Sequence, residues 1–235
     1  MRTELVGREA ELALLADSLA AALDGLPQVV VCEGEAGIGK TRLAQELVGL
    51  AERRGVLWVW GSAAETSGAP PFWPWCQVLR ALAGRVDLQA LADQHRLEAE
   101  LARVAPDVVL AEPPAAGGGS AEDRFRQFDA VARLLREVCL QAPLLVVVDD
   151  AHWADEASLL LLHHITRVLT DQPLLVVVNV RDTERGDDAV IARIGREPVT
   201  RRIHLRGLRR RPSGASWLRC SVARWTSARP WRRRP

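Results

Sequence analysis

Lysine occurs once in the 235 residues, at position 40. All the other basic side chains except histidine are arginine, so a lone lysine inside a glycine-rich stretch marks that stretch for attention. Acidic residues are missing altogether after Glu197. Residues 198–235 carry 12 arginines and no acid, a charge of +12, while residues 1–197 set 19 basic against 30 acidic side chains, a charge of −11. The overall net charge of +1 hides this split. An acidic body lacks the footprint of a nucleic-acid-binding surface, so no direct DNA binding is expected from residues 1–208.

The four cysteines, Cys32, Cys76, Cys139 and Cys220, form no CxxC pair and no Cys/His cluster of zinc spacing. They are expected to be buried free thiols of a reducing, cytoplasmic compartment. The N-terminus lacks an apolar targeting core, and no apolar run approaches the ~20 residues of a membrane span, so neither secretion nor a membrane partner is expected. At 48% hydrophobic and 26% charged residues the composition is that of a globular chain. Its length allows one large domain with a tail.

Leucines 12, 15, 19 and 23 recur at helical spacing and predict a helix over Glu9–Leu23. Short runs rich in valine and leucine predict strands at Gln28–Cys32, Val56–Trp60, Leu144–Val148 and Leu174–Val180, with a last short one at Arg202–Leu205. Helices are expected between them, at Thr41–Arg53, across 76–104, from Ser120 to about Leu140, at Asp155–Leu169 and at Asp188–Ile194. Ser120-Ala-Glu-Asp123 reads as a variant capping box, followed by an apolar face of Phe125, Phe128, Val131, Leu135 and Val138. Strands apolar on both faces and alternating with helices imply a parallel α/β sheet covered on both sides. Pro70–Trp75 is expected to be an ordered loop whose aromatics cap the core. Residues 111–120, with three consecutive glycines, read as a flexible linker.

The chemistry concentrates in two places. Gly34-Glu35-Ala36-Gly37-Ile38-Gly39-Lys40-Thr41 follows a strand and opens a helix, and it matches the phosphate-loop pattern in full. Glycines allow consecutive backbone N–H groups to turn inward around phosphates, and the helix N-terminus adds its positive dipole end. Lys40 would reach the β- and γ-phosphates and Thr41 would offer a hydroxyl to Mg²⁺. Arg42 follows on the same turn and is counted among the nucleotide contacts. The strand Leu144–Val148 ends in Asp149-Asp150, at the edge where open parallel sheets bind ligands. Asp149 is expected to hold Mg²⁺ and Asp150 to orient or deprotonate the attacking water. Asp150 is one methylene shorter than a glutamate there would be, and its shorter reach suits slow hydrolysis.

Leu174–Val180 leads into Arg181, which either stabilises charge at the γ-phosphate or pairs on the surface with Asp182 or Glu184. His152 is expected to pack or hydrogen-bond, and His163 and His164, adjacent on a helix, make a poor metal pair.

Leu5-Val-Gly-Arg-Glu-Ala-Glu11, the phosphate loop, Phe72-Trp-Pro-Trp75, Val148-Asp-Asp-Ala-His-Trp-Ala-Asp155 and Val180-Arg-Asp-Thr-Glu184 occur in that order. Together they resemble the AAA-like, origin-recognition-type P-loop ATPase domain of large ATP-binding regulators of the LuxR type, members of the STAND class. The resemblance covers roughly residues 4–208. It implies a three-layer sheet of five parallel strands in the order 5-1-4-3-2, with helices on both faces. It also implies a nucleotide switch with weak hydrolysis that exchanges ADP for ATP and self-associates. Leu5, Val6 and Arg8 would then lie near the adenine. The same kind of domain accompanies some adenylate cyclases and bacterial kinases, so an autonomous ATPase or kinase-like enzyme, or a cyclase-associated module, is the alternative.

The resemblance stops near Leu208. The acid-free stretch 209–235 is either a frameshifted or truncated remnant or a basic tail for acidic partners. If no alternative frame after codon 208 encodes an acidic helical continuation, the remnant reading fails.

Overall fold

The computed structural model describes residues 7–65, 68–111, 120–182 and 189–207. Five strands, β1 (Gln28–Gly34), β2 (Leu57–Ser62), β3 (Leu144–Asp149), β4 (Leu174–Arg181) and β5 (Thr200–His204), form one sheet in the order β2-β3-β4-β1-β5. Every pairing is parallel. This is the α/β P-loop NTPase-like architecture and the strand order expected above. The helices are α1 (Glu9–Leu23), α2 (Lys40–Arg53), α3 (Trp73–Ala83), α4 (Leu88–His95), α5 (Glu98–Val104), α6 (Ala121–Gln141), α7 (Glu156–Val168) and α8 (Ala189–Ile194). No helix among the described residues is long and apolar enough to cross a membrane.

Successive strand side chains point to opposite faces, so each central strand supplies two cores. Val29, Val31, Val146, Val148, Val176 and Val178 pack with α3–α8 on one face. Val30, Cys32, Leu145, Val147, Leu175 and Val177 pack with α1 and α2 on the other. Continuing the alternation places Asp149 and Asn179 on the α2 face, and Glu33 on the opposite one. The buried thiols of Cys32 and Cys139 are pushed up to about 12, in both cases chiefly by loss of water. They therefore pack as inert apolar groups. Cys76 is also buried and free, and Cys220 lies outside the described residues.

One expectation is sharpened and others are corrected. The stretch 76–104 is helical as expected and divides among α3, α4 and α5. The Asp87 carboxylate caps α4 by accepting from the Ala90 N–H, and Arg96 closes it in the left-handed region at φ 55°. Phe125 is exposed and stands outside the buried face of α6, where its ring meets His164 edge-on. The last strand begins earlier, at Thr200, because it pairs with β1 from Val29 onward.

The Ser120 half of the capping box is present, with Ser120 Oγ accepting from the Asp123 N–H at 3.0 Å and donating to the Asp123 carboxylate at 2.8 Å. Phe72 and Trp75 are buried, and the Trp75 indole donates to Ser158 O at 3.0 Å, so these aromatics belong to the core, but Trp73–Trp75 are the first turn of α3 and not a loop. Most of the 111–120 linker lies outside the described residues.

Candidate functional site

The site assembles where β1, β3 and β4 end. β1 stops at Gly34, and Glu35, Ala36, Gly37 and Ile38 carry the chain over to Gly39, the N-cap of α2. Gly39 sits at φ 103°, a conformation that L side chains rarely adopt, with open space where a Cβ would be. The turn therefore leaves the first N–H groups of α2 facing outward at the helix's positive end.

Lys40 is the first residue of α2, and it is buried. Its ammonium lies across the loop, donating to Gly34 O at 2.8 Å and to Glu35 O at 2.9 Å. Burial pushes its pKa down, while Asp150 and Asp149 pull it up and Arg181 adds to the lowering. Both of its bonds are to neutral carbonyl oxygens, so an anion at the loop would add the charge partner that these do not supply.

Thr41 Oγ1 donates to Asp149 Oδ1 at 3.4 Å, joining residues 108 positions apart. The same carboxylate oxygen accepts from the Asn179 amide at 2.8 Å and from the Asp150 N–H at 3.1 Å. Asp149 and Asn179 are both buried, and Asn179 Oδ1 has no hydrogen-bond partner among the described residues. A buried, unpartnered carbonyl oxygen costs about 1–3 kcal/mol unless something meets it. Hard oxygen donors from Thr41 and Asp149, with this spare oxygen beside them, fit a Mg²⁺ with its water shell.

Asp150 is exposed and left-handed at φ 51°, at a cost of about 1 kcal/mol. That turn swings the chain into the short 3-10 segment Ala151–Trp153. The His152 ring packs tilted against Trp153 with centroids 5.2 Å apart, and both its ring nitrogens are buried without a hydrogen-bond partner among the described residues. Burial lowers its pKa, opposed by Asp150. The packing role is borne by the ring, and the hydrogen-bonding role finds no partner among the described residues.

Arg181 ends β4 opposite Gly34 and is exposed. Among the described residues it has no ion-pair partner, so the pairing with Asp182 is absent, and Glu184 lies outside them. The Asp182 N–H instead donates to Gly34 O at 3.1 Å. Arg42 pairs with Glu46 at 2.5 Å along α2. Leu5 and Val6 lie outside the described residues. Arg8 is buried, bonded to Glu11 at 2.9 Å and to Ile38 O at 3.1 Å, so the start of α1 is tied to the phosphate loop itself. His163 meets Glu197 at 3.0 Å, whereas His164 packs on Phe125 and Phe128.

Sequence reasoning did not single out Asn179 for contact with Asp149. The available signal was parity: positions 145, 147 and 149 of β3 share a face with 175, 177 and 179 of β4. Nor did it find the buried carboxylate of Glu33.

The AAA ATPase domain family model matches residues 4–177. An uncharacterized protein of Rhizobium meliloti is 28% identical over 205 residues, covering 75% of this chain and 18% of that protein. Among solved structures, Aeropyrum pernix ORC1 in complex with DNA is 21% identical, with a TM-score of 0.46 over 86% of this chain and 46% of that one. DnaA from Aquifex aeolicus, bound to AMPPCP, is 12% identical, with a TM-score of 0.41 over 86% of this chain and 47% of that one. The chain therefore spans about half the length of these solved chains and far less of the Rhizobium protein. With the phosphate loop, the acid pair and the sheet in place, and a match over well more than half its length, this chain belongs to the AAA ATPase domain family.

Proposed function

We propose that residues 1–208 are an ATP- and Mg²⁺-binding switch domain with weak hydrolysis, the nucleotide module of a LuxR-type STAND regulator, with 209–235 a basic tail outside it. One observation carries the reading. A buried ammonium, an α2 N-terminus and the Thr41–Asp149 pair converge on one loop, each with unmet capacity for an anion or a hard cation. The backbone N–H groups of residues 37–41 and Lys40 would bind the phosphates. Thr41 and Asp149 would hold Mg²⁺, which when bound neutralises phosphate charge and orients the β- and γ-oxygens. Asn179 fixes the Asp149 carboxylate by donating to it. Asp150 would accept a proton from water, and Arg181 would face the γ-phosphate from the tip of β4. Arg8 steadies the loop through Ile38 O.

The test is nucleotide affinity of the wild type and Lys40→Ala by calorimetric titration. Loss of the charge-assisted bonds is worth about 3 kcal/mol, or roughly a hundredfold in affinity. Equal affinities would sink the proposal. A basal turnover well above ~1 s⁻¹, in the range of dedicated enzymes, would argue for an enzyme over a switch.

A further inference from the structure

Glu33 is the last residue before the phosphate loop, and its side chain is 8% exposed. Strand parity turns it to the face opposite Lys40, so it takes no part in the site described above. A carboxylate this deep needs compensation. It comes from β5, through two exposed partners. Arg202 Nε donates to Oε1 at 2.8 Å and its Nη2 donates to the same oxygen, while His204 Nε2 lies 2.7 Å from Oε2. In the ladder His204 is the register partner of Glu33, and Arg202 that of Val31.

Two backbone features add to this tie. The Leu205 N–H donates to Glu33 O at 2.8 Å. Leu205 O presses so closely on Gly34 that a Cβ there would lie 2.8 Å from it. On its other flank Gly34 O accepts from Asp182 N–H and from Lys40 Nζ. The first glycine of the loop is therefore gripped by the ends of β4 and β5 and by the phosphate-loop lysine together.

We propose that Glu33 is a positioning residue for the phosphate loop. Held by Arg202 and His204, it locks the end of β5 to Gly34, so that nucleotide binding at the loop and the position of Leu205–Gly207 are coupled. The inference rests on the nucleotide reading above. Coupling of this kind is reciprocal: what loosens the end of β5 weakens nucleotide, and nucleotide tightens the end of β5.

The test uses the full chain, as wild type, E33Q and the double variant R202Q/H204Q. ATP and ADP affinities are measured together with amide hydrogen exchange across residues 199–207, with and without nucleotide. In the wild type, nucleotide should slow exchange at residues 203–206 severalfold. R202Q/H204Q changes only half-exposed side chains, and its folding is checked by cooperative unfolding. It should bind nucleotide about five- to tenfold more weakly and lose the nucleotide-dependent protection. An edge strand that merely added stability would shift unfolding without linking exchange there to nucleotide. Should E33Q fail to fold, the double variant decides. Affinity within twofold of wild type in the folded variants, or wild-type exchange at 203–206 indifferent to nucleotide, overturns the coupling. A wild type that binds no nucleotide overturns the functional reading, and the coupling with it.

Discussion

Gly34→Ala separates two reasons for a glycine in this loop. The backbone there is at φ 157°, and an added Cβ would lie 2.8 Å from Leu205 O, 3.0 Å from Ile38 Cγ2 and 3.3 Å from Leu205 Cβ. Ile38 can rotate away. Leu205 O cannot, because its residue is tied to Glu33 through a 2.8 Å backbone bond. An ordinary carbon–oxygen contact is about 3.3 Å or longer, so the strand end must retreat by roughly half an ångström. Overpacking against fixed atoms costs about 1–3 kcal/mol, and the unusual φ for alanine is of similar size. Part of each relaxes with the other, leaving a net loss of about 2–4 kcal/mol. Gly39→Ala is the control. At φ 103° it has nothing within 4 Å of the new methyl, so only the backbone strain of about 1–2 kcal/mol applies. Urea unfolding of the three proteins at one pH measures both losses, with an unchanged m-value as the check on two-state behaviour. The reasoning is refuted if Gly34→Ala stays within about 0.5 kcal/mol of wild type, or if the two variants lose the same amount.

Two further substitutions test the packing and the titration. Gly61→Ala would place its Cβ 2.2 Å from Pro74 O and 2.9 Å from Pro74 C, both backbone atoms at the start of α3. The expected loss is at least about 3 kcal/mol, and a wild-type melting temperature would contradict it. His164→Phe addresses pH. Burial holds the His164 imidazole below its ordinary 6.5, with Asp129 opposing and His163 and Arg167 adding to the lowering. Between the lowered and the ordinary value the unfolded chain binds the proton and the folded chain does not, so stability rises with pH through that window and falls below about 6.5. Phenylalanine suits the contacts with Phe125 and Phe128 and cannot titrate. Denaturant midpoints between pH 5 and 7.5 should therefore vary less in the variant, and equal slopes would remove His164 as a source.

The sheet was legible because its central strands declare themselves. Val29–Val31, Leu144–Val148 and Leu174–Val178 are apolar on both faces, and no exposed element tolerates that pattern. The phosphate loop was legible because its pattern is local, eight residues between a strand and a helix. The breaks within the helical stretch 76–104 were hidden for the opposite reason. Helical periodicity survives across Asp87 and Arg96, whereas the breaks depend on one capping carboxylate and one left-handed residue. Phe125 keeps the spacing of its neighbours yet faces outward, since the face of a long helix that gets covered is decided by what packs on it.

The unread part of the site has one physical cause. Asn179 meets Asp149 across 30 residues, and Glu33 meets Arg202 across 169. Neither pairing follows from strand identity, and each needs the register of a particular ladder. Register also explains why the two sit on opposite faces. β3 ends on an acid at an odd position, level with the phosphate-loop helix, and β4 follows with an amide at the matching odd position. β1 reaches its glutamate one step before the loop begins, which turns that acid away from Lys40. Had Glu33 occupied the Lys40 face, its carboxylate would have competed with any phosphate for the ammonium. On the face it does occupy, its charge is met by β5, and the loop's cation keeps only neutral carbonyl partners among the described residues.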